Sequence, residues 1–427
     1  MIFTSMSSPK KYFFTDFGCR LNQFETRVME NSNDGLQAAE SMSDADFIVI
    51  NTCTVTGRAD MKNRQAIRKA RSVNPDAHII VTGCYATTDE SSLKRMKEVD
   101  TVIINQNKFM IPDFMAGRDI KTKTTLFPTS RQTPLSSARA YVKIQDGCNK
   151  KCSYCKIPMA RGEATSRTVQ DTIDEVTALI RAGFHELVLT GINIGHYQSN
   201  GAHFNDLLRI LVKIPGDYYY RISSIEPECV NEELLSIMAN TKFAPFLHLP
   251  LQSGSAKILK LMGRSYTPQK YIEAVNLARS VIPDIHLGTD IMAGFPSESE
   301  DDFMETLKMM ETALFANIHF FPYSKRPGSK IENIIQSKSN AEIFEVNGKT
   351  IKERIKTAME IQKKIKTKFI EKSSGNPYRA IIDTLNDGRA QIVTENYLRG
   401  SIPVGRNFKK GDKVMVTYDR HLNYSLV

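Results

Sequence analysis

The 427-residue sequence has no apolar run long enough to cross a bilayer, and it has no long repeat or low-complexity tract. Its opening, MIFTSMSSPKKYFF, lacks the apolar core and small-residue cleavage site of a secretory leader, and its end, RHLNYSLV, lacks an anchor. The expectation is a cytoplasmic protein with no membrane partner. Seven cysteines make an odd number, which disfavours a disulfide framework and leaves reduced thiols available as metal ligands. Against these absences stand 41% hydrophobic and 24% charged residues, the balance of an ordinary globular protein with core enough for two or three domains. The net charge of +10 favours a polyanionic partner.

Residues 1–121 alternate apolar runs with helical patterns. KYFFTDFGC, DFIVINTC, HIIVTGC and VDTVII read as buried strands, and NQFETRVMEN, ADMKNRQAIRKARSV and DESSLKRMKEV read as helices. That alternation predicts a doubly wound parallel sheet. Residues 122–138 are polar, rich in Ser, Thr and Pro, and read as a linker. A second alternating series spans 139–372, with strands at AYVKIQD, HELVLTG, YYYRISSI, PFLHLPL, IHLGTDIM and NIHFFPY. Six such units predict a closed or open partial (β/α)6 barrel with its site at the strand carboxyl ends. Residues 349–372 form a basic amphipathic helix with Ile351, Ile355, Ala358, Ile365 and Phe369 as its apolar stripe. Residues 373–427 carry short alternating strands and turn signals at NDG, VGR and KKGD, the pattern of a small antiparallel β-barrel. The fold class is α/β throughout the first two regions.

Cys148, Cys152 and Cys155 sit in Cys-x3-Cys-x2-Cys spacing within GCNKKCSYC. Three thiolates on one loop grip three corners of a four-iron cluster and leave one iron without a protein ligand, open for chemistry. A zinc knuckle would need a fourth Cys or His at short range, and the nearest histidine is His185. Lys150, Lys151 and Lys156 around the loop favour thiolate over thiol, or are plain solvated charge. Cys19, Cys53 and Cys84 lie far apart in sequence, yet each follows an apolar strand run. In a parallel sheet those strand ends share one edge, where ligands of such folds bind. The alternative is that they are buried cysteines acting as small hydrophobes. Cys229, in EPECVNEE, reads as a structural thiol. His248 and His286 read as core or strand histidines, and the acidic run SESEDD as a helix amino-terminal charge cluster.

GCNKKCSYCKIPMARGEATSR, residues 147–167, resembles the signature of radical S-adenosylmethionine enzymes in its methylthiotransferase version. FGCRLNQFET, NTCTVTGRAD and VTGCYA resemble the three cysteine motifs of that family's amino-terminal domain. The run NTCTVTGRADMKNRQAIRKA makes the chain most similar to the MtaB type, the threonylcarbamoyladenosine tRNA methylthiotransferases. Thr87 and Lys156 depart from the family pattern without removing a ligand.

The resemblance implies an amino-terminal methylthiotransferase domain at 1–121, a radical SAM core at 139–372 and a TRAM-like RNA-binding domain at 373–427. It implies two [4Fe-4S] clusters, one on Cys148, Cys152 and Cys155 and one on Cys19, Cys53 and Cys84, serving one cavity. The loop cysteines would be catalytic through bound S-adenosylmethionine, and the other set would present the sulfur to be transferred. Cofactor contacts would come from Gly191 and Gly195 in TGINIG, Glu226, Gln252, Arg264 and Asp290, with Gly294 leaving room for the adenine. The acceptor would be carbon 2 of a modified adenosine 37 in the tRNA anticodon stem-loop, with a reducing electron donor and a sulfur source as further partners. Basic residues 59–71, the helix from Lys349 and the final barrel, with Tyr378, Tyr397 and Arg399, are the expected RNA-contacting surfaces, although the tyrosines equally suit a packed core. Alternative functions are methylthiolation of isopentenyl-adenosine tRNA or of a ribosomal-protein aspartate, and a non-catalytic iron–sulfur RNA-binding or electron-transfer protein.

Overall fold

The computed structural model describes residues 9–33, 35–118, 125–134, 137–337, 343–386, 388–404 and 407–427. Parts of the 122–138 linker and of the NDG and VGR turns lie outside the described residues. The chain forms two compact units. The first comprises Met1–Arg131 with Asp146–Lys150 and Cys155–Ala164, and the second comprises the remainder.

The first unit is built on a parallel sheet of β1 (Lys11–Asp16), β2 (Gln37–Ala38), β3 (Phe47–Thr52), β4 (His78–Gly83) and β5 (Thr101–Val102), in the order β2-β1-β3-β4-β5. Helices α1 (Arg20–Glu30), α2 (Gly57–Val73), α3 (Cys84–Thr88) and α4 (Ile157–Arg161) belong to this unit. All six residues of β3 are buried, as expected of a strand covered on both faces. Ile48, Ile50, Ile79 and Val81 pack on Ile67 and Ala70 of α2. Val49 and Ile80 pack on Phe14, Met29 and Ile111. The strand order reverses between β1 and β3, the switch point where such sheets bind ligands.

Two elements differ from expectation. The helix expected over DESSLKRMKEV is confined to Glu90–Lys94, because Met96 and Val99 then enter three-residue turns, donating to the Leu93 and Met96 carbonyls, that press both side chains onto the core. β2 was not expected: two exposed residues at the sheet edge carry no alternation to read.

In the second unit, β6 (Ala140–Lys143), β7 (Glu186–Thr190) and β8 (Tyr219–Ile222) form one parallel sheet, and β9 (Phe246–His248), β10 (His286–Ala293) and β11 (Asn317–Pro322) another. Bridges Tyr220–Phe243 and Ser224–His248 join β8 to β9, so the six strands run on as a partial (β/α)6 barrel. Its amino-terminal end is polar. The fully buried Glu186 and Arg221 form an ion pair at 2.5 Å, and Tyr219 donates to Glu186 at 3.0 Å. The acidic run after β10 does cap a helix: Ser299 and Asp302 make a capping box at the start of Glu300–Ala313.

The terminal strands β12 (Tyr378–Asn386), β13 (Arg389–Thr394), β14 (Arg399–Pro403), β15 (Lys413–Tyr418) and β16 (Tyr424–Leu426) pair antiparallel in the order β14-β13-β12-β15-β16. The Tyr424 ring packs on Gly400, where a Cβ would lie 1.9 Å from it, and this brings β14 and β16 together into a nearly closed barrel. Among the described residues, no helix is long and apolar enough to cross a membrane.

Candidate iron–sulfur sites

Cys19, Cys53 and Cys84 stand just beyond the carboxyl ends of β1, β3 and β4. The turns that carry them touch. A Cβ on Gly18 (φ +94°) would lie 2.3 Å from Cys53 Sγ, and one on Gly83 (φ +95°) would lie 2.4 Å from the Thr52 carbonyl, so both positions require glycine. Asn22 braces the same turns, donating to the Phe17 and Thr52 carbonyls at 3.0 and 2.8 Å. Asn63 of α2 donates to the Cys53 carbonyl at 2.6 Å.

Cys53 and Cys84 are buried and Cys19 is exposed. Burial pushes the Cys53 thiol up to about 12. Burial also raises Cys84, against the opposing pull of Arg161 and Lys108. Thiols so desolvated ionise when a metal compensates the charge, as soft thiolate ligation does. No group of three or more His, Cys, Asp and Glu among the described residues closes to single-ion distances. Cys53 Sγ also accepts the Val55 N–H at 3.5 Å.

Cys148, Cys152 and Cys155 follow one another on the loop after β6 and are all half-buried. Cys148 Sγ accepts from the Lys150 N–H and Cys155 Sγ from the Ile157 N–H, each at 3.4 Å. Gly147 (φ +68°) turns the chain into the loop where a Cβ would strike the Glu163 carbonyl at 2.0 Å. Lys150 and Cys152 flank an exposed Lys151, and Lys156 is buried rather than a solvated charge.

Of the expected cofactor contacts, Arg264 reaches this chemistry directly: its Nη1 donates to Cys152 Sγ at 3.5 Å. Its Nη2 pairs with Glu226, so two residues expected to bind different parts of the cofactor are partners of each other. Gln252, strained at φ +66°, keeps a buried Oε1 with no hydrogen-bond partner among the described residues. Asp290 lies between His248 Nε2 at 3.5 Å and His319 Nδ1 at 3.4 Å, and these contacts hold its carboxyl below the usual range despite burial. Gly191 and Gly195 are required by packing, since a Cβ would meet the Gln145 carbonyl at 2.6 Å and Cys229 Sγ at 2.6 Å.

A Cβ on Gly294 (φ +77°) would lie 2.3 Å from Ile351, so the position requires glycine. Tyr378 is a core residue stacked on Tyr418 with ring centroids 5.4 Å apart. Tyr397 packs on Phe246 at 4.7 Å, and Arg399 is exposed. His286 is buried in the barrel, as expected, whereas His248 is half-buried beside Asp290.

Sequence reasoning gave no role to Arg161, His319 or the carboxylates around Arg161. Arg161 and Glu25 are 136 residues apart, a separation without periodicity to betray it.

The radical SAM superfamily matches residues 142–310, and the uncharacterized protein family UPF0004 matches residues 11–104. A threonylcarbamoyladenosine tRNA methylthiotransferase MtaB from Aquifex aeolicus is 36% identical over 91% of this chain and 95% of its own length. A protein of the same name from Chlamydia pneumoniae is 32% identical over 94% of each. Among solved structures, the radical S-adenosylmethionine methyltransferase TsrM from Kitasatospora setae, with cobalamin and a [4Fe-4S] cluster bound, superposes with a TM-score of 0.60 at 15% identity, covering 77% of this chain and 78% of that one; the likeness is one of fold. With both cysteine motifs in place and similarity running over nearly its full length, the chain belongs to the MtaB-type radical SAM methylthiotransferases.

Proposed function

We propose that the protein inserts a methylthio group at carbon 2 of N6-threonylcarbamoyladenosine 37 in tRNA. The observation that carries this reading is the pairing of a radical-type cysteine loop with a second trio of cysteines gathered at the switch point of a parallel sheet. Cys148, Cys152 and Cys155 would hold one [4Fe-4S] cluster, and Cys19, Cys53 and Cys84 the other. When bound, the clusters and S-adenosylmethionine supply the 5′-deoxyadenosyl radical and the sulfur to be transferred.

The chain's own residues bind, orient and exclude water. Arg264 donates to Cys152 Sγ, and Glu226 fixes the guanidinium in place. The unpartnered Oε1 of Gln252 is suited to accept a ribose hydroxyl of the cofactor. Asp290, within β10, would serve the same ribose, its orientation set by His248 and His319. Gly191 and Gly195 let the turn after β7 pack closely on Gln145 and Cys229, and its backbone would approach the methionine end of the cofactor. The basic helices α2 and Gly348–Ser373 and the terminal barrel would carry the anticodon stem-loop. An electron donor and a source of sulfur complete the partners.

The test is anaerobic reconstitution with reductant, S-adenosylmethionine and three acceptors: tRNA bearing threonylcarbamoyladenosine, tRNA bearing isopentenyl-adenosine, and a ribosomal-protein aspartate peptide. Mass spectrometry of nucleosides and peptide should show the methylthio product on the first. Cofactor cleavage without that product, or product on another acceptor alone, contradicts the proposal.

A further inference from the structure

Within the first unit, Arg161 is completely buried and forks onto Glu25 of α1, Nη1 at 3.1 Å and Nη2 at 2.9 Å. Nη1 also reaches Asp146 at 3.0 Å, and Nη2 reaches Asn22 Oδ1 at 3.0 Å. Lys108, equally buried, adds a second cation on Glu25 and donates to Asn105 at 2.7 Å. These residues bracket cysteines: Glu25 and Asn22 follow Cys19, Asp146 precedes Cys148, and Arg161 follows Cys155. Asn22 continues the chain of contacts to the Thr52 carbonyl, one residue before Cys53. Helix α4, which ends at Arg161, packs on α3, which begins at Cys84.

Two buried cations face two buried carboxylates, and every charge among them acts through a medium of low dielectric. A purely architectural ion network could have been replaced by apolar packing at no loss of stability. Its position against Cys84 and Cys53 gives it another task.

We propose that Arg161 is a positioning residue that sets the reduction potential of the cluster held by Cys19, Cys53 and Cys84, with Glu25 as its opposing charge. The inference rests on the reading that this trio holds a cluster. The fixed positive charge stabilises the more negative, reduced state, and the carboxylate of Glu25 tempers it. Removing each charge therefore shifts the potential in opposite directions, which an architectural role would not do.

The experiment uses the full-length chain carrying Cys148→Ala, Cys152→Ala and Cys155→Ala, reconstituted to about four irons, and follows a reductive titration by electron paramagnetic resonance. Arg161→Gln should lower the midpoint potential, Glu25→Gln should raise it, and Arg161→Lys, which keeps the charge but loses the fork, should stay near the parent. Shifts of the same sign, or none, in iron-loaded Arg161→Gln and Glu25→Gln overturn the proposal. If Arg161→Gln fails to take up iron, an unchanged potential in Glu25→Gln overturns it alone. A parent chain that binds no iron refutes the trio's cluster first, and the inference with it.

Discussion

Cys148, Cys152 and Cys155 are neighbours along a loop, whereas Cys19, Cys53 and Cys84 are brought together only by the sheet. The loop cysteines are all half-buried, and their local supports are backbone N–H groups and the Arg264 guanidinium. Two of the sheet cysteines are deeply buried, held by glycine turns and an asparagine lattice that exist only when β1, β3 and β4 are in register. A loop set can be read from spacing; a sheet set is read by asking where each strand ends. The difference is also energetic. Burial raises the Cys53 and Cys84 thiols, with Arg161 opposing it at both, whereas the loop set has one arginine at its sulfur.

The contrast breaks first at the loop. Cys148→Ala with Cys152→Ala and Cys155→Ala should remove about half of roughly eight irons and abolish both cofactor cleavage and methylthio formation, read by iron assay and chromatography of 5′-deoxyadenosine. Next comes the barrel that supports it. Glu186→Gln leaves Arg221 buried without its partner and should cost about 3–5 kcal/mol in denaturant unfolding.

A smaller effect depends on pH. Burial, reinforced by Arg221, holds His286 neutral with its value lowered from 6.5 to about 3. The unfolded chain takes up a proton below 6.5 that the folded chain refuses, so this stability is whole above 6.5 and is lost as pH falls toward 3. In the apo protein, His286→Leu should flatten the acid limb by about 1.4 kcal/mol per pH unit. Smallest, Thr56→Ala removes the cap that accepts from the Ala59 N–H and should cost about 1 kcal/mol, seen as a lowered denaturant midpoint.

Much of this architecture was legible before any coordinates. FIVINT and HIIVTG each carry an unbroken apolar run because central parallel strands are covered on both faces, and the six barrel strands stand out for the same reason. β2 escaped notice because an exposed edge pair needs no pattern, and the Glu90–Lys94 helix was overextended because apolar residues in tight turns mimic helical spacing. At the site, the cysteines were readable from type and placement. Arg161 was invisible in its role because its partners, Glu25 and Asp146, come from other segments, and no local signal marks a charge as buried.

The division of labour between the two cysteine sets is tested most directly by one variant, Cys19→Ala with Cys53→Ala and Cys84→Ala, assayed with S-adenosylmethionine and tRNA bearing threonylcarbamoyladenosine. The account predicts loss of about half the iron, continued formation of 5′-deoxyadenosine and no methylthio nucleoside. Unchanged iron, or methylthio product still appearing, would contradict it.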